Sequence, residues 1–132
     1  MLVNVYVPNA GDPPERARLP TKLAFLRKLK TKLETFRDQE RQVLLVGDFN
    51  IALSKNDMHS CFWQEEIYTK EEIDTFQEIL DDHIDVWRSL HPHETNTFTV
   101  FNERKSYRDS NKVFSKNSVH LSAAQVLCRD SG

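Results

Sequence analysis

Residues 43–46, Val-Leu-Leu-Val, are apolar at every position and run without a break into Gly47-Asp48-Phe49-Asn50. A strand at a sheet's surface alternates apolar with polar; one that is apolar throughout has two dry faces. "VLLVGDF" is therefore expected in the interior of a sheet, with other elements covering it. The neighbouring sequence offers such elements. Leu19, Leu23, Leu26, Leu29 or Lys30, Leu33 and Phe36 recur at steps of three and four, with lysines and arginines between them. That spacing predicts an amphipathic helix of about 18 residues with one core-facing stripe. "YTKEEIDTFQEIL" predicts a second helix, with Thr69 and Glu72 as a capping box and Ile73, Phe76, Ile79 and Leu80 as its apolar face. "LVNVYV" at 2–7 reads as a strand that "PNAGDPP" breaks, "IDVWRSLHP" as a short strand or turn stopped by Pro92, and "NTFTVF" at 96–101 as a third strand. Strand, long helix, strand, helix, strand is an α/β order.

Totals narrow the class further. A chain of 132 residues makes one small domain with a real core. Eighteen basic against twenty acidic residues leave a formal charge of −2, which supplies no bulk attraction to nucleic acid or to an anionic membrane, although a local basic groove stays compatible with it. No apolar run approaches the length of a membrane-spanning helix. "MLVNVYVPNAG" lacks the basic start and long apolar centre of a signal peptide and reads as a strand. Cys61 and Cys128 lie far apart in unlike contexts, as two free thiols in a reducing, intracellular compartment would, and no Cys/His spacing resembles a zinc site.

Chemistry is expected where the central strand gives out. Asp48 and Asn50, two residues apart, would share a face if the strand continued through them. They follow a glycine that permits close backbone approach, at the strand end where α/β sheets place ligands. A carboxylate there can hold a hard cation or take a proton, and an amide can hold a phosphate oxygen. The same spacing also fits a strand that simply ends in an Asx turn. Tyr6 and Asn9, in "VYVPNAG", form a second cluster, read as a core or edge aromatic and turn chemistry before a catalytic pair. His59, His83, His91, His93 and His120 are scattered and read as surface residues. Lys28, Lys30 and Lys32 form a solvated helix face before they form a DNA patch. Trp63, Trp87, Phe98 and Phe101 are core aromatics before they are stacking platforms for bases.

Taken in order, "NVYVPNAG", a basic amphipathic helix, "VLLVGDFNIA…ND" and "IDVWRSLHP…FTVF" resemble the endonuclease/exonuclease/phosphatase superfamily, in its exonuclease III and apurinic/apyrimidinic endonuclease branch. The endonuclease domain of LINE-type retrotransposons shares the pattern. The resemblance runs over about residues 3 to 111 and implies a four-layer α/β sandwich that hydrolyses DNA phosphodiesters with Mg2+ or Mn2+. It implies that Asp48 orients or deprotonates the attacking water, that Asn50 holds a non-bridging phosphate oxygen, that Tyr6 lies near the scissile phosphate, and that Asn9 helps to set that wall.

The chain also departs from the family's pattern. The family has two earlier strands, with an Asn and the principal metal-binding Glu, before the segment matched here. After Arg108-Asp109-Ser110-Asn111 it has a Gly-Trp-Arg-(Leu/Ile)-Asp strand, where this chain has "KVFSKNSVHLSAAQ" with Asn117 at the acid's expected place. The closing Ser-Asp-His is absent, and Asp109 and Asp130 stand in no matching context. The expectation is an incomplete sandwich over 1–111 with a divergent, poorly ordered polar tail over 112–132. Such a chain would be inactive alone, or completed by missing segments or another chain. A truncated gene, an alternative splice and a shifted reading frame all fit. DNA is the expected partner, no membrane is expected, and the location would be intracellular, nuclear in a eukaryote. The alternative is a non-catalytic nucleic-acid-binding or interaction module on the same core.

Overall fold

A computed structural model describes residues 1–54, 57 and 68–95. It contains strand β1 (Leu2–Tyr6), helix α1 (Leu19–Asp38), strand β2 (Leu44–Asp48), helix α2 (Lys70–Leu80) and helix α3 (Val86–Leu90). The expected strand at 96–101, the tail at 112–132 and both cysteines lie outside the described residues. β1 and β2 are parallel, in register from Leu2 opposite Leu44 to Tyr6 opposite Asp48. Parallel neighbours require a crossover, and α1 is that crossover. The α/β order read from the sequence is the order observed.

One face of this two-stranded sheet is dry. Val3, Val5 and Leu45 turn toward a core of Val7, Leu26, Leu29, Leu33, Val43, Phe49, Ile51, Phe76 and Ile79. The opposite face carries Leu2, Asn4 and Tyr6, all exposed, beside half-buried Leu44, Val46 and Asp48. β2 thus has β1 as its neighbour on one side among the described residues, and its second face is only partly covered. Fully burying each Leu, Ile or Phe of that core contributes roughly 1.5–3 kcal/mol before entropy is charged against it. Phe49 and Phe76 pack at 5.2 Å between ring centroids, tilted by 51°, and join the end of β2 to α2.

Local sequence explains the helix ends. Pro20 occupies the first turn of α1, where a missing N–H costs nothing. At its other end Glu40 adopts φ +55, the Arg41 N–H donates to the Phe36 carbonyl and the Glu40 N–H to the Arg37 carbonyl. This is a Schellman closure with glutamate in the place glycine usually takes. α2 opens with the expected capping box: the Glu72 N–H donates to Thr69 Oγ1 and the Thr69 N–H to the Glu72 carboxylate. Exposed pairs Arg27–Glu71, Lys30–Glu78 and Arg37–Asp82 then align α1 with α2.

The segment read as a strand or turn at "IDVWRSLHP" is instead the short helix α3. Its alternation of Ile84 and Val86 resembles a strand, but Asp85 caps the Arg88 N–H at 2.8 Å and starts a helical turn. α3 places Arg88 Nη2 2.5 Å from Asp57, whose carboxylate also accepts from the Ser54 N–H and hydroxyl. The loop after β2 is thereby tied down.

His83 follows α2, half-buried, with its ring nitrogen Nδ1 donating to the Ile79 carbonyl. Burial holds its pKa below the usual imidazole value, with the carbonyl bond acting weakly against it. The unfolded chain therefore takes up this proton first as pH falls below about 6.5. Stability from this group is expected to be complete above that value and to be lost on acidification through the lower folded pKa. Urea midpoints between pH 8 and 5 should fall in the wild type and fall less in His83→Gln.

Candidate active site at the strand ends

Because β1 and β2 are parallel, both deliver their C-terminal ends to one side, and the residues found there converge. Tyr6, 65% exposed, stands opposite Asp48 on the solvent-facing side of the sheet. The Val7 N–H donates to the Asp48 carbonyl at 2.8 Å and prolongs the ladder one step past Tyr6. Gly47 lies opposite Val5 with φ +133, and a Cβ there would sit 1.9 Å from the Val5 carbonyl oxygen. The approach of the two strands beneath the site therefore requires glycine.

Asp48 and Asn50 do not share the face of a continuing strand. The strand ends at Asp48, and Asn50 turns off it at φ +50, a left-handed conformation that asparagine tolerates better than most residues. The Asn50 N–H donates to Asp48 Oδ1 at 3.0 Å, so the two are brought together by an Asx turn. The turn and the polar cluster, alternatives in the sequence, are one arrangement. Asn50 is 4% exposed; its Nδ2 donates to the Val7 carbonyl at 2.7 Å, and its Oδ1 receives a long contact of 3.4 Å from Asn9 Nδ2. Asn9 Oδ1 in turn accepts from the Gly11 N–H at 2.7 Å. Tyr6, Asn9, Asp48 and Asn50, 44 residues apart at the extremes, are thus gathered at one end of the sheet. Asp48 keeps its carboxylate half-exposed beside them.

Beneath this cluster is a set of charges that the pattern of polar residues did not reveal. Lys22 and Glu72 are fully buried and paired at 2.9 Å. Lys22 Nζ also donates to the Asn50 carbonyl at 2.7 Å, and Arg16 Nη1 donates to Glu72 Oε2 at 2.7 Å. Burial lowers the Lys22 pKa from the ordinary lysine value, and the Glu72 hydrogen bond and charge act against that. Tyr68 presents its ring 5.1 Å from Lys22 Nζ, and its phenol is pushed up to about 12, first by burial and then by the Glu72 charge. A signal for the pair existed. Lys22 continues the stripe of Leu26, Leu29 and Leu33, and Glu72 that of Phe76 and Ile79. Each helix carries one charge, of opposite sign, on its buried face.

The donor set at the strand ends falls short of what a divalent cation needs. Mg2+ is ordinarily held by one or two carboxylates with waters and substrate phosphate. Among the described residues, Asp48 is the carboxylate available at the strand ends, Glu72 being engaged by Arg16 and Lys22, and no group of three or more His, Cys, Asp or Glu is arranged to hold a metal. These residues do not by themselves build a magnesium site. On the Lys28/Lys30/Lys32 face the charge of Lys30 is matched by Glu78, and Lys32 lies 4.8 Å over the Phe36 ring.

No protein-family profile matches the sequence, and no curated protein matches it significantly. Solved structures do match the fold. An AP endonuclease from Archaeoglobus fulgidus superposes with a TM-score of 0.67 at 23% identity, over 88% of this chain and 46% of its own. A 3′-5′ exonuclease from Neisseria meningitidis, NExo, gives 0.70 at 24% identity, over 88% and 46%; NExo has also been solved as a 3′ phosphatase bound to a product DNA hairpin. The catalytic domain of Xenopus laevis APE2 gives 0.69 at 22% identity, over 92% and 42%. The likeness is one of fold, and the chain spans about half the length of the structures it matches.

Proposed function

We propose that this chain, which has the fold of the endonuclease/exonuclease/phosphatase superfamily, supplies one side of the active site of a DNA phosphodiesterase of the abasic-site endonuclease and exonuclease kind. The observation that carries the reading is the convergence of Tyr6, Asn9, Asp48 and Asn50 at the C-terminal ends of β1 and β2. Hydrolysis of a phosphodiester requires an oriented water, donors on the phosphate oxygens and relief of developing charge. Asp48, half-exposed with one oxygen held by the Asn50 N–H, retains a second oxygen to accept a proton from water. Asn50, buried with its Nδ2 on the Val7 carbonyl, holds the half-buried Asn9 amide beside it, and the exposed phenol of Tyr6 is the donor nearest to bulk solvent. The neutral Asn9 amide can approach a phosphate without the repulsion a second carboxylate would bring.

Mg2+ or Mn2+ is the cofactor this chemistry calls for, to neutralise phosphate charge. Asp48 is the one ligand the described strand ends offer it, so the remaining ligands belong to residues outside this set. By the same reasoning the chain alone turns over slowly or not at all, because catalytic groups that act together lose most of their rate when one is missing. DNA is the proposed partner, and the compartment is intracellular.

Cleavage of a duplex carrying one abasic site, in Mg2+, tests the reading. The chain alone is expected to be nearly inert. Grafted in place of the equivalent segment of the Neisseria exonuclease, it is expected to cleave, and Asp48→Asn to slow that cleavage about 10²–10⁴-fold. A folded graft indifferent to Asp48→Asn would overturn the assignment of Asp48. Robust cleavage by the chain alone, lost on Asp48→Ala, would show that the site is complete within it.

A further inference from the structure

Lys22 occupies a position that packing alone would give to leucine. It lies in line with Leu26, Leu29 and Leu33 on the buried stripe of α1, yet it carries an ammonium into a fully buried place. Burying an ion pair is no gain over apolar residues of similar volume, since lost hydration offsets the attraction. What the ammonium provides that a leucine cannot is a donor, and that donor is spent on the Asn50 carbonyl at 2.7 Å.

We infer that Lys22, held by Glu72, is a positioning residue that sets the left-handed turn at Asn50 and so aims the amide cluster of the candidate site; its bearing on phosphate binding rests on the nuclease reading above. The geometry is specific. A backbone carbonyl fixes the plane of the peptide that follows it, so a donor at the Asn50 oxygen selects the conformation of Asn50 itself. That residue stands at φ +50, a conformation costing an ordinary L-residue strain unless its surroundings hold it. The Asn50 N–H is directed to Asp48, its Nδ2 to the Val7 carbonyl and its Oδ1 to Asn9, and Lys22 holds its carbonyl. The ammonium is itself held. Glu72 Oε1 accepts from it at 2.9 Å, and Glu72 is fixed through its other oxygen by Arg16 at 2.7 Å and by the Thr69 N–H at 2.8 Å. Cap, helix pair and site turn therefore form one connected set of hydrogen bonds. Since Asn9 touches the Asn50 side chain, a displaced Asn50 displaces Asn9 as well.

Amide NMR of the full chain decides this without substrate. Lys22→Met keeps the length of the side chain and removes the donor. It is expected to shift the side-chain amide signals of both Asn50 and Asn9 and to speed exchange of the Asn50 N–H by about tenfold or more, through local opening of the turn. Leu29→Ala, on the same stripe but outside the network, is the control for lost stability and is expected to leave those signals in place. Lys22→Gln, which restores a neutral donor, should return them part of the way. Unmoved Asn50 and Asn9 signals in folded Lys22→Met, or equal shifts in Leu29→Ala, would overturn the assignment. A Lys22→Met chain that is wholly unfolded would overturn it too, since Lys22 would then serve the domain at large. A folded graft that fails to cleave, or is indifferent to Asp48→Asn, would count against the functional reading and leave this spectrum unaffected.

Discussion

Alanine at Gly47 is expected to cost more stability than any other single methyl added to the described chain. Two effects coincide there. The backbone stands at φ +133, outside the range that L side chains adopt, and the new Cβ would lie 1.9 Å from the Val5 carbonyl oxygen and 2.8 Å from the Val5 nitrogen and carbonyl carbon. Those atoms belong to the facing strand, and no rotamer change can relieve a clash with backbone. The strands would have to separate where Val5 meets Gly47, one step before Tyr6 meets Asp48. A loss of about 4 kcal/mol or more is expected, the range reserved for overpacking and strained backbone, against a total of roughly 5–15 kcal/mol for a typical domain. Urea denaturation followed by circular dichroism measures it. Gly11→Ala is the comparison. At φ +93 it is strained as well, but its Cβ meets nothing nearer than 3.5 Å, so a loss of about 1–2 kcal/mol is expected from the left-handed conformation alone. Equal losses at the two glycines would show that the strands accommodate a Cβ at this position.

Glu72→Leu is expected to be the second most damaging change, and more damaging than Lys22→Met. The two partners of this buried pair are not equivalent. Glu72 has Arg16 as well as Lys22, so removing the lysine leaves its carboxylate with a cation at 2.7 Å. Removing the carboxylate leaves the Lys22 ammonium buried, with the Asn50 carbonyl and the Tyr68 ring as its remaining described contacts, and opens the capping box of α2. Stranding a buried charge costs about 3–5 kcal/mol, and losing a helix cap adds about 0.5–2 kcal/mol. The pH dependence gives a second readout. Burial already holds the Lys22 pKa low, and without Glu72 it should fall further. A lysine that releases its proton more readily folded than unfolded makes stability rise with pH toward the ordinary lysine range near 10.4. Chemical denaturation of Glu72→Leu between pH 7 and 10 should show that rise more steeply than the wild type. A flat profile with a loss near that of Lys22→Met would mean that the lysine finds water in the variant.

How much of this was legible beforehand depended on how local the deciding interaction was. α1 and α2 follow from repeats three and four residues apart, and the capping box at Thr69 and Glu72 from two side chains within one turn. β1 and β2 follow from short apolar runs ended by Pro8 and by the turn after Asp48. α3 departs from the strand or turn its sequence suggests because a single contact, from the Arg88 N–H to Asp85, outweighs the alternation of Ile84 and Val86. The polar residues of the site were identifiable by type and place at strand ends. Their relation was not, because Asn50 leaves the strand at φ +50 and meets Asn9 across 41 residues of chain.

By itself the sequence determined the helices α1 and α2, the strands β1 and β2, and which polar residues stand at the strand ends. These are consequences of periodicity and of short-range sterics, and both are written along the chain. Only the tertiary structure decided that Lys22 and Glu72 are interior residues. A lysine and a glutamate prefer water until each finds the other, and the meeting of residues fifty apart in sequence is made by the packing of α2 on α1. That packing brings the ammonium under the Asn50 carbonyl and converts two separate polar clusters, Tyr6 with Asn9 and Asp48 with Asn50, into one candidate site.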